Sequence, residues 1–149
     1  MREAIWQQLT DLLDSCPVRY LKWDMNRSLA DVWSAALPAN RQGEAYHRYV
    51  LGLYELQQRL VERYPGLLLE NCAGGGARFD LGMLYYSPQI WCSDNTDAQD
   101  RLMIQHGTSY FYPPCVMGAH YSTVPNHITG RTASVEARMA AALSGTFGF

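Results

Sequence analysis

The chain has 149 residues, a length that admits a single domain, and its 48% apolar and 17% charged residues exclude a disordered polypeptide. A net charge of −2 offers no basic field to nucleic acid or an anionic membrane surface, and no apolar run approaches the ~18 residues needed to span a bilayer. Of the 12 basic residues only one, Lys22, is a lysine.

Ile5, Leu9, Leu12 and Leu13 recur at i, i+4, i+7 and i+8, which predicts an amphipathic helix over 3–15 closed by Pro17. Residues 18–23 read as a strand running into Asp24. Residues 27–42 read as a long loop. Tyr46, Val50, Leu53, Leu56, Leu60 and Tyr64 then predict a helix over 44–64, stopped by Pro65-Gly66. Leu67-Leu68-Leu69 has the apolar character of a strand buried on both faces, and a glycine-rich stretch at 73–76 follows it. Residues 89–92 form the next strand candidate, and Thr96-x-x-Gln99 reads as a capping box for a helix through His106. A strand near 109–117, a loop rich in Pro, His and Asn, an Ala-rich helix at 132–143 and the opening of a strand at 146–149 complete the order.

Strands alternating with helices imply an α/β fold with a parallel sheet of four to five strands and right-handed crossovers. A closed eight-stranded barrel takes roughly 250 residues. The chain is therefore expected to be either a small doubly wound sheet or a piece of a barrel; its start on a helix and its end inside a strand favour the piece.

In such a sheet, functional residues gather at the C-terminal strand ends. Three of these are polar: Lys22-Trp23-Asp24-Met25-Asn26, Glu70-Asn71-Cys72 and Trp91-Cys92-Ser93-Asp94. Lys22, Asp24 and Asn26 are two apart and share a face, so the ammonium would hold Asp24 ionised, as a nucleophile or as half of a strand-end ion pair. Asp94, Asp97 and Asp100 all sit where a helix dipole favours anions. Two carboxylates about 5–5.5 Å apart, one ionised and one protonated, constitute a retaining glycosidase site. Trp23 and Trp91 offer aromatic planes to a sugar ring, or else belong to the core. Gly74-Gly75-Gly76 lacks the continuation of a phosphate loop; it would let backbone approach a ligand closely. His120 and His127 either line a pocket or cap backbone groups.

Met1-Arg2-Glu3-Ala4-Ile5 carries no signal-peptide core, and Cys16, Cys72, Cys92 and Cys115 contain no C-x-x-C pair, so reduced thiols in a cytoplasmic protein are expected. Zinc on Cys115, His120 and His127 is the alternative, at a spacing that matches no established ligand pattern. No metal and no cofactor are expected.

The strings Tyr20-Leu21-Lys22-Trp23-Asp24-Met25-Asn26-Arg27, Glu70-Asn71-Cys72-Ala73-Gly74-Gly75-Gly76 and Pro88-Gln89-Ile90-Trp91-Cys92-Ser93-Asp94-Asn95-Thr96-Asp97-Ala98 resemble glycoside hydrolase family 36 α-galactosidases. Met117-Gly118-Ala119-His120 and Val124-Pro125-Asn126-His127-x-Thr129-Gly130-Arg131 extend the match over essentially the whole chain. The resemblance implies a partial (β/α)8 TIM barrel, roughly strands 4–8 with their helices. Residues 1–149 would be a fragment of the catalytic domain, without the family's N-terminal β-sandwich, first barrel half and C-terminal β domain. It further implies Asp24 as nucleophile and Asp94 as acid/base. Lys22 and Asn26 would bind galactose hydroxyls beside Trp23 and Met25, Cys72 and Gly74 would shape the pocket, and Trp91 would wall it. The implied reaction is retaining hydrolysis of terminal α-galactosyl residues in oligosaccharides such as raffinose and melibiose. The parent would be a homotetramer. Because half of the expected substrate clamp is missing, the chain by itself is expected to have little or no activity. A galactosyl transferase of the raffinose-synthase kind and a non-catalytic remnant are the alternatives. Lys22, a compact point charge beside the nucleophile, suits a sugar hydroxyl better than Arg would.

Overall fold

A computed structural model describes residues 1–27 and 30–148; Ser28 and Leu29 of the expected loop and Phe149 of the last strand lie outside the described residues. Five strands form one sheet in the order β1 (Tyr20–Asp24), β2 (Leu68–Cys72), β3 (Gln89–Trp91), β4 (Met117–His120) and β5 (Thr146–Gly148). The pairs β2–β3, β3–β4 and β4–β5 are parallel. Strand order follows chain order throughout, as in a barrel wall, whereas a doubly wound sheet reverses direction at a switch point. The architecture is thus that of a partial (β/α)8 barrel. No helix among the described residues is long and apolar enough to cross a membrane.

The chain divides into two compact units. One comprises Met1–Leu21 and Arg27–Leu68. In it, α1 (Arg2–Ser15) lays Leu13 and Thr10 against α2 (Ala45–Arg63), whose Leu53, Leu56, Gln57 and Leu60 are buried. Both helices match their expected spans within two residues. Arg59 pairs with Glu3 at 2.7 Å and stacks over Trp6, and Arg63 reaches Asp14 at 2.7 Å. Such exposed pairs add little stability, so the seam rests on its apolar stripe. In the connection between β1 and α2, Gln42 binds the Ser34 N–H and the carbonyls of Ser34 and Leu37.

The second unit comprises Lys22–Asn26 and Leu69–Phe149. Its core holds Leu69, Ile90, Met83, Met117, Ala119, Ala141 and Ala142. The helices are α3 (Leu81–Tyr86), α4 (Ala98–Ser109) and α5 (Val135–Leu143). α3 escapes a periodicity reading because six residues contain fewer than two helical turns; Asp80 starts it by accepting the Met83 N–H. The strand expected near 109–117 is displaced. α4 runs to Ser109, Tyr110 and Phe111 are exposed, and Pro113 and Pro114 have no N–H for a ladder, so the strand begins at Met117. The expected capping box is also corrected. Asp97, not Thr96, caps α4 by accepting from the Gln99 and Asp100 N–H groups, and the Thr96 hydroxyl instead accepts from the Asn126 amide.

Candidate active site

The site grows from the C-terminal ends of β1 and β2 and the loop after β3, all within the second unit. Along β1, Lys22 and Asp24 are exposed while Leu21 and Trp23 are half-buried. Strand alternation therefore sets Trp23 on the face opposite Asp24. Asn26 belongs to the same face as Asp24: its Nδ2 donates to Asp24 Oδ2 at 3.1 Å, and its Oδ1 accepts from the Gly74 N–H at 2.6 Å. Met25 contributes through backbone, donating to the Cys72 carbonyl and accepting from Arg78. These bonds hold the end of β1 against the glycine loop after β2.

Gly74 and Gly75 have φ of 57° and 81°, in the left-handed region. Gly75 is also sterically required: a Cβ there would lie 2.8 Å from Ser93 Cα and 2.9 Å from Asp94 N. A Cβ on Gly76 would meet the Cys92 carbonyl at 2.7 Å. The run is bare because it is pressed against the backbone that carries Asp94. Gly75→Ala is expected to destabilise the protein by about 1–3 kcal/mol through its φ alone, with further cost from the clash. Thermal unfolding measures it, and an unchanged midpoint would show that the loop is not packed this way.

Cys72, at the end of β2, is 4% exposed. Its Sγ lies 4.0 Å from Asp94 Oδ1. Burial pushes the thiol above its ordinary value, the Gly75 N–H acts against this, and a hydrogen bond with Asp24 adds to the rise. Cys72 is therefore a protonated S–H at neutral pH, and its Sγ faces Asp94.

Trp91 is 4% exposed. It is a buried hub. Its indole N–H donates to Asp94 Oδ1 at 3.2 Å. The Lys22 ammonium stands 4.6 Å from its ring centroid, the Arg101 guanidinium 4.1 Å, and the His120 ring stacks at 4.3 Å. Gly118 makes this possible, since a Cβ there would come within 2.9 Å of the indole. Burial, together with the charges of Lys22 and Arg101, holds His120 below the ordinary imidazole value, so the ring is neutral at pH 7.

The carboxylate paired with Lys22 is Glu70, not Asp24 as the spacing suggested: Nζ lies 3.2 Å from Oε1. Glu70 is 1% exposed, and its Oε2 accepts from Gln89 Nε2 at 2.8 Å. Burial raises its carboxyl above the usual range, against the Gln89 hydrogen bond. The only sequence signal for this residue is an acid closing the run Leu67-Leu68-Leu69.

Asp94 and Asp97, which the sequence alone left equivalent, have different surroundings. Asp94 is exposed and faces Cys72 and Trp91. Asp97 is 1% exposed and spent on structure: besides its cap bonds it accepts from the Thr129 hydroxyl at 2.7 Å and from Arg131. Asn126 is buried beneath the same loop and accepts from the N–H groups of Ile128 and Thr129. The Pro125-Asn126-His127-x-Thr129-Gly130-Arg131 string is thus an anchor for the start of α4. His120 packs on Trp91, Cys115 is exposed, and among the described residues no three His, Cys, Asp or Glu side chains form a metal-binding group.

The family model described as Melibiase matches residues 1–149. The chain belongs to the melibiase family. Members similar to it include Alpha-galactosidase 1 of Pediococcus pentosaceus, 58% identical over 100% of this chain and 20% of the relative, and Alpha-galactosidase Mel36A of Lactobacillus acidophilus, 54% identical with the same coverage. The crystal structure of the GH36 α-galactosidase AgaA from Geobacillus stearothermophilus superposes with a TM-score of 0.94 at 53% identity, over 99% of this chain and 20% of that one. One AgaA variant, with an Asp-to-Asn substitution, is in complex with raffinose; another, with a different Asp changed to Ala, is in complex with stachyose. The chain spans about a fifth of the length of the curated melibiase relatives it matches.

Proposed function

We propose that this chain is the part of a retaining α-galactosidase that carries both catalytic carboxylates, Asp24 as nucleophile and Asp94 as acid/base. The observation that carries the reading is that the end of β1 bearing Asp24 and Asn26 is bonded to the glycine loop, which is itself pressed against the backbone of Asp94 at the C-terminal strand ends. It is supported by the AgaA variants: the two aspartates replaced there are separated by 70 positions, the spacing of Asp24 and Asp94 here.

In this reading Asp24 attacks the anomeric carbon while Asp94, protonated, gives its proton to the departing glycosidic oxygen. The galactosyl ester on Asp24 is then cleaved by water whose proton Asp94 takes back, which restores both groups and retains configuration. Asn26 orients Asp24, the Trp91 N–H orients Asp94, and Lys22 and Asn26 face the hydroxyls of a terminal α-galactosyl unit. Raffinose-type oligosaccharides are the substrate class. Residues 1–149 are one part of a larger catalytic domain, and the remaining substrate clamp lies outside them.

The test is to treat the full-length protein carrying this chain with an activated 2-fluoro galactosyl fluoride and map the adduct by peptide mass spectrometry. Label on Asp24 is expected; label on any other residue sinks the assignment. The 149-residue chain alone is expected to release no nitrophenol from nitrophenyl α-galactoside, and turnover by the pure monomer would overturn the fragment reading.

A further inference from the structure

Lys22 and Asp24 are two residues apart on one face of β1, about 6.5 Å between Cα atoms, well within reach of a lysine side chain. The ammonium nevertheless sits on Glu70, a carboxylate that is 1% exposed and whose second oxygen is occupied by Gln89. A group so buried does not meet a sugar in the site. Burying a carboxylate is costly unless it is paired, and Glu70 sits in the middle of β2, buried beside Asn71 and Cys72. The acid at this point needs a reason.

Resting on the reading of Asp24 as nucleophile, we propose that Glu70 is a positioning residue that takes the charge of Lys22 and so keeps the ammonium off Asp24. With Glu70 in place, Lys22 is held over Trp91, and Asp24 Oδ2 accepts from Asn26. Without it, the nearest anion on the same strand face is the nucleophile. An ammonium seated on Asp24 lowers its basicity and removes lone pairs needed for attack. It also withdraws the lysine from the hydroxyl it would bind. The other charged or titratable groups around Lys22 leave this conclusion intact. Cys72 is a protonated thiol, His120 is neutral, Arg101 is a cation and cannot take an ammonium, and Asp94 is engaged by the Trp91 N–H.

Glu70→Gln in the full-length protein removes the charge and keeps the shape and a hydrogen bond to Gln89. At pH 7 its kcat/KM for nitrophenyl α-galactoside is expected to fall about tenfold, because the displaced ammonium occupies the Asp24 lone pairs needed for attack. In a Lys22→Met background the same change is expected to leave kcat/KM where Lys22→Met alone puts it. An unchanged kcat/KM in Glu70→Gln overturns the proposal, as does an equal fall in the Lys22→Met background. Should Glu70→Gln fail to fold, Glu70→Asp, which draws the anion back by one methylene, is expected to lower kcat/KM by less and only where Lys22 is present, and no loss there overturns the proposal equally. Trapping of the unmodified protein keeps the two readings apart. An adduct elsewhere than Asp24 refutes the nucleophile, whereas an adduct on Asp24 with an unchanged kcat/KM refutes only the role of Glu70.

Discussion

Replacing Asp94 by Asn is expected to lower hydrolysis of raffinose by the full-length protein by about 10²–10⁴-fold, the contribution of a positioned general acid. With an activated nitrophenyl leaving group the first step no longer needs protonation, so that loss should be smaller and the galactosyl-enzyme should accumulate, visible as a burst of nitrophenol. The structure supports this pattern because Asp94 is exposed, touches the Cys72 thiol and accepts one indole N–H, all of which Asn can accommodate without unfolding. Equal losses on both substrates would remove Asp94 from the acid/base role.

Asp97→Ala, three residues on, is expected to act on stability. The carboxylate accepts from two backbone N–H groups, the Thr129 hydroxyl and Arg131 while 1% exposed. Losing the cap costs about 1 kcal/mol, and leaving the buried donors unmatched brings the total to roughly 3 kcal/mol. Melting temperature should drop by roughly 6–12 °C. The pH dependence has a defined sign. Burial pushes the Asp97 carboxyl up, but Thr129, the Asp100 N–H and Arg131 outweigh it and hold it below its ordinary value. Its stabilisation is complete above about pH 4, the unfolded value, and is lost as pH falls through the lower folded value. Wild type should therefore lose stability in that acid window more steeply than Asp97→Ala. Parallel melting curves from pH 2 to 6 would contradict this.

This contrast between Asp94 and Asp97 locates the limit of reading the chain unaided. Spacing places both at the start of one helix, and helix-dipole preference treats them alike. Which of them faces the site depends on where the loop after β4 brings Thr129 and Arg131, some thirty residues later. Lys22 teaches the same lesson. Its strand face was legible from period two, but its partner was not, because Glu70 belongs to the neighbouring strand. Trp91 was legible as an aromatic at a strand end, while its burial depends on Gly118 across the β3–β4 pair.

By itself, the sequence determined the alternation of strands and helices, the boundaries of the long helices, the polar strand ends and the family, since these are written in local periodicity and contiguous strings. Only the tertiary structure decided the sheet order, the start of β4 after two prolines, the cap on Asp97, and the pairing of Lys22 with Glu70. The sheet order and the pairing of Lys22 with Glu70 depend on contacts between residues far apart in the chain, and the Asp97 cap is braced by Thr129 and Arg131 some thirty residues later. Burial and steric exclusion select among partners there that composition and spacing leave equivalent.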